Sequence, residues 1–146
     1  MAAATGAYLH QPKAAELRWM GETSTHFLAT GEQTGETFTL VDEQAKRGES
    51  VPLHLHRDDM ESFYVLEGEV EFHVGDEVVH GTPGTYVLAP PNVVHWLRNV
   101  SNEPVRMLNL HTPGGFAQYR RELRELRAQG IEPDRDFFER HDVFDV

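Results

Sequence analysis

The segment GESVPLHLHRDDMESFYVLEG, residues 48–68, holds two histidines one residue apart and a glutamate five positions after the second. Residues i and i+2 of a strand point to the same face about 7 Å apart, so His54 and His56 can aim at one point. In a chain with nine histidines an H-x-H pair alone carries little weight. The neighbours strengthen it. Glu61 opens a run whose same-face residues are Phe63 and Val65, and an unpaired carboxylate in such company is costly unless it pairs or binds metal. In GTYVLAPPNVVHWLRN, His95 shares a face with Val93 and Leu97, which turns a third imidazole inward. Three neutral nitrogens and one carboxylate oxygen suit a single divalent transition metal of the Mn, Fe, Co, Ni or Zn group.

These side chains need a scaffold of strands. The offset from His56 to Glu61 is odd, so RDDM must contain a turn or bulge that resets the parity. From about Trp19 to Thr112 the chain reads as short strands separated by turn residues. THFLAT and ETFTLVDE flank the hairpin-like connection GEQTG. Further runs break at Gly68, at Gly75-Asp76 and at Thr82-Pro83-Gly84, and a last pair is joined by SNEP. Many short strands without intervening helices predict an all-β antiparallel sandwich or barrel. Phe116, Tyr119, Leu123 and Leu126 then recur at helical spacing before Gly130, predicting a C-terminal α-helix over about 114–129 that packs on the outer sheet. Residues 131–146 carry six carboxylates against two arginines and read as a solvated acidic tail. The expectation is one domain spanning 1–146, with its core over about 19–112.

Composition narrows the function. Thirteen basic residues against twenty-four acidic ones give a net charge of −11, a field that opposes nucleic-acid binding. The chain has no cysteine, so disulfides, thiolate metal sites and cysteine nucleophiles are excluded. Its opening residues contain no long apolar run, which predicts a cytoplasmic protein without signal peptide or membrane span.

The spaced residues also resemble a known family. Gly48, His54, His56, Glu61 and Gly68 reproduce the first cupin motif, G-x5-H-x-H-x4-E-x6-G. Gly84, Pro90, His95 and Asn99 reproduce the second, G-x5-P-x-G-x2-H-x3-N, except that Asn92 replaces its internal glycine. Asn tolerates the left-handed backbone that such a turn requires. The resemblance implies a small single-domain cupin, a jelly-roll β-barrel, with metal ligands His54, His56, Glu61 and His95. A cupin that keeps these side chains only as a hydrogen-bonded cluster is the alternative.

Four protein ligands leave one or two positions open for an exogenous molecule. The site's charge of about +1 with a divalent ion favours an anionic oxygen such as an enolate or phenolate. Phe38, Phe63, Phe72, Leu97 and Met107 are candidates for an apolar pocket around it. Asn109 and His111 join them if Met107 faces inward. The small bacterial cupins described as quercetin 2,3-dioxygenase-like are similar in their short single domain and in the TPGGF run into a helix. That similarity implies a dioxygenase acting with O₂ on a small planar or enolisable organic substrate, with Glu61 as ligand or as proton acceptor. A non-redox isomerase or lyase, or a metal-containing binding protein, would use the same pocket. Tyr64, Leu66 and Trp96, facing outward, predict a homodimer.

Overall fold

The computed structural model describes residues 7–10, 17–20, 23–48 and 50–146. In chain order the elements are β1 (Leu17–Met20), β2 (Thr23–Ala29), α1 (Gly31–Thr34), β3 (Thr39–Ala45), β4 (Ser50–Leu55) and β5 (Met60–Glu67). They continue with β6 (Val70–Val74), β7 (Glu77–Gly81), β8 (Tyr86–Ala89), β9 (His95–Asn99) and β10 (Val105–Thr112). The chain then runs through α2 (Phe116–Ala128), α3 (Arg135–Arg140) and β11 (Phe144–Asp145).

Two antiparallel sheets form the jelly roll. One has the order β1-β2-β3-β10-β5-β8 and the other β11-β4-β9-β6-β7. The sheets pack face to face instead of closing into one hydrogen-bonded cylinder. Period-2 alternation determines what lies between them: Val105, Met107, Asn109 and His111 of β10 are buried while their neighbours are half-exposed. Met107 therefore faces inward, and Asn109 and His111 with it. The dry core joins Val65, Met107 and Phe63 of the first sheet to Val70, Phe72 and Leu97 of the second. The Phe63 and Phe72 rings meet with centroids 5.3 Å apart. Away from the His-Glu cluster, Asn99 stitches the sheets together by donating from Nδ2 to the Ala45 carbonyl at 2.9 Å.

The connections differ in detail from expectation. GEQTG does join two paired antiparallel strands, β2 and β3, but as one helical turn with Gly35 and Glu36 in the left-handed region. Residues 56–59 form the expected parity-resetting turn, because β4 and β5 belong to opposite sheets. A second reset lies inside β4, where the register against β9 shifts between Val51 and His54. Val51 can thus pack on the core while His54 still points to the cluster.

The solvated-tail reading is corrected. Asp134 caps α3 by accepting from the Phe137 amide at 2.8 Å, and Phe137 is 2% exposed. β11 adds to the edge of β4, pairing Phe144 with Leu55 and Asp145 with His54.

Candidate metal centre

β4 and the turn after it supply His54 and His56, β5 supplies Glu61, and β9 supplies His95. The structure brings all four together: one donor atom from each lies within 4.8 Å of the others. Glu61 Oε2 is 2.8 Å from His95 Nε2, 3.1 Å from His56 Nε2 and 3.7 Å from His54 Nε2.

The far side of each ring fixes its chemistry. His54 Nδ1 lies 2.7 Å from the Pro52 carbonyl, His56 Nδ1 2.7 Å from the Asp142 carbonyl, and His95 Nδ1 2.9 Å from the Val93 carbonyl. A carbonyl only accepts, so each Nδ1 must carry the hydrogen, and a neutral ring then presents its Nε2 lone pair inward. Three lone pairs converging on a carboxylate oxygen repel one another unless a cation is shared among them. The donor set thus fits a metal ion, and the carbonyl partners are those that orient ligating histidines.

β10 holds the other carboxylate oxygen. Asn109 Nδ2 donates to Glu61 Oε1 at 2.9 Å, and His111 Nε2 lies 3.2 Å from the same atom. Burial pushes the Glu61 pKa up, but the His111 ring beside Oε1, with His54 and His56 around Oε2, holds it well below the usual carboxylate range. Burial opposes the charged form of His56, yet the hydrogen bond and charge of Glu61 raise its pKa.

A turn supports the site from behind. Asn92, at the position where the motif has glycine, sits at φ 65. Its amide donates to the His56 carbonyl at 2.7 Å and its Nδ2 to the Arg57 carbonyl at 3.3 Å. The substitution keeps the left-handed turn and adds a side-chain bond.

A cavity of about 340 Å³ opens over the cluster, near the small end for organic ligands. Phe63 and His111 line it, and Asn109 is buried beside it, bonded to Glu61. The remaining pocket expectations are corrected. Phe72, Leu97 and Met107 are at most 3% exposed and form the core. Phe38 precedes β3 out of phase with the inward Thr39, its backbone tied to Thr34 Oγ1, and does not line this cavity. The position of α2 is corrected as well. Phe116 stacks on the His111 ring at 3.8 Å between centroids, and Tyr119, Arg120 and Leu123 line the cavity. The helical stripe was visible in the sequence, but its docking surface was not.

Residues 42–111 match the family model described as a cupin domain. Among curated proteins, the quercetin 2,3-dioxygenase of Bacillus subtilis (strain 168) is 26% identical over 103 residues, covering 70% of this chain and 30% of that protein. The chain therefore spans under a third of that relative. A structure from Thermotoga maritima, described as a predicted oxalate decarboxylase, superposes with a TM-score of 0.68 at 20% identity, covering 73% of this chain and 99% of that one. KdgF from Halomonas sp. gives 0.65 at 18% identity, covering 75% and 94%. An RmlC-like cupin from Shewanella frigidimarina gives 0.64 at 20% identity, covering 74% and 92%. At these identities the structural likenesses establish the cupin fold. Among the described residues, no helix is long and apolar enough to cross a membrane.

Proposed function

We propose that this cupin binds one divalent transition metal through His54, His56, Glu61 and His95, and acts as a dioxygenase on a small planar or enolisable organic molecule, flavonol-like in its chemistry. The observation that carries the reading is the convergence of three carbonyl-anchored imidazoles on one oxygen of Glu61 beneath a partly apolar cavity. The 26% likeness to a quercetin 2,3-dioxygenase supports the oxidative class.

A metal held by these four residues would supply Lewis acidity toward a substrate oxygen and, if redox-active, electron transfer to O₂. The protein's own groups do the rest. Phe63 and Phe116 line the cavity, and their apolar surface excludes water from beside a flat ligand, which strengthens the electrostatic contacts in the site. Glu61 is kept ionised, as a metal ligand must be, and can accept a hydrogen bond from an enol or phenol entering the cavity. Asn109 holds the carboxylate orientation from β10.

Metal analysis of the purified protein, followed by oxygen-electrode assays with flavonols, catechols and 1,3-diketones, tests this reading. Substrate-dependent O₂ uptake by the metal-loaded protein is expected. Bound metal with ligand-induced spectral change and no O₂ uptake would move the assignment to a non-redox isomerase or lyase, or to a binding protein.

A further inference from the structure

Glu43 occupies an inward position of β3, between Val41 and Ala45, and is 7% exposed. It lines the same cavity as His54, His56 and Glu61. Burial pushes its pKa up, while Arg120 pulls it down and Glu61 adds like charge. A carboxyl so placed gains from any ligand that donates a hydrogen bond to it.

Arg120 reaches the cavity from α2. One of its nitrogens, Nη2, donates to Thr25 Oγ1 at 2.8 Å, and its guanidinium lies 5.5 Å from the centroid of Phe116. Thr25 is fully buried and Phe116 is stacked on His111, so the guanidinium is anchored at both ends. It still has N–H donors to spare, because a guanidinium carries five.

We propose that Glu43 and Arg120 form a second polar subsite of the cavity, one that takes a neutral hydroxyl of the bound molecule. The hydroxyl donates to Glu43 and accepts from Arg120. Other groups match only half of the pair. A carboxylate accepts from Arg120 but has no hydrogen to give Glu43, whereas an ammonium donates to Glu43 and has nothing to accept with from Arg120. The ligand class follows: a small planar molecule with an enol or phenol oxygen at one end and a separate hydroxyl at the other. The inference rests on the metal-centre reading above and adds a substrate requirement to it.

The test compares two hydroxypyrones, allomaltol and kojic acid, which chelate metals through the same oxygens and differ by one hydroxyl. Each is titrated into nickel-loaded wild-type protein, Glu43→Gln and Glu43→Leu, with the nickel content of every sample measured. Wild type is expected to favour kojic acid by about tenfold or more, the worth of a hydrogen bond to a charged group. Glu43→Gln keeps part of that preference. Glu43→Leu loses it while its affinity for allomaltol stays level, and the near-isosteric Leu leaves the fold intact, as its melting temperature will report. Equal affinities in wild type, or a preference that survives Glu43→Leu at full nickel content, would overturn the subsite. Absence of nickel from wild type with neither pyrone bound would instead overturn the metal centre, and the subsite with it.

Discussion

The chemistry at the residue scale lies in which atom of each imidazole faces inward. The spacing of His54, His56, Glu61 and His95 was legible in the sequence because strand parity and motif spacing act over short ranges. The partners that fix the tautomers were not, since the Asp142 carbonyl lies 86 residues from the His56 it anchors. Replacing His54 and His95 together with alanine should lower bound metal at least tenfold by elemental analysis, about the loss expected for two of four donors. Asn109→Leu should keep the metal but slow turnover about tenfold, because Glu61 Oε1 loses its firmest donor. Acidity gives a further check on the metal-free protein. Glu61 is held well below 4.5, so its stabilising contribution is present above that pH and is lost as the pH falls through the depressed value. His56 is held above 6.5, so its contribution is complete below that pH and is lost as the pH rises through the raised value. The metal-free melting temperature should therefore peak between these two reference values. Metal loading requires neutral rings and should move the optimum upward. A metal-free optimum above pH 8 would contradict the cluster's protonation pattern.

Among the elements, the segment after α2 departs furthest from its sequence pattern. Six carboxylates in residues 131–146 suggest solvent, yet one of them organises the turn that carries His56. Asp142 accepts from the amides of Arg57, Asp58 and Asp59 at 2.8, 2.9 and 2.8 Å, while its carbonyl accepts from His56. Net charge is a property of a window of sequence; a carboxylate facing three consecutive amides depends on a loop far away in the chain. Asp142 sits at φ 62, so Asp142→Gly keeps the backbone and removes the three bonds. That variant should lose about 1–2 kcal/mol of stability by denaturant titration. It should also weaken metal affinity about tenfold, since His56 loses its positioning. Unchanged metal affinity would reduce the segment to a packing role. The α2 stripe teaches the same lesson: periodicity exposed an apolar face, and docking against His111 decided where it went.

For the whole molecule, alternating strands and turn residues were enough to foresee a two-layer antiparallel fold. The surface was harder to read. Trp96 belongs to the second sheet and stacks on His73 at 4.0 Å, whereas Tyr64 belongs to the first. A more coherent apolar face runs along the β5–β8 edge, where Tyr64 sits opposite Tyr86 and both are exposed with Leu88. Pairing of two copies across that face is the expected assembly. Light scattering should report a dimer at micromolar concentration, and Tyr86→Lys with Leu88→Lys should convert it to monomer. The strand order has one more consequence, for kinetics. Contacts of the centre join residues 34, 48 and 86 positions apart, so the centre and the groups that orient it come together only when distant strands pair. Loop closure over such spans makes folding slow, in the millisecond-to-second range of non-local β topologies. Ion capture is then a late event, and its rate in a stopped-flow experiment started from denaturant should track the formation of the last sheet contacts.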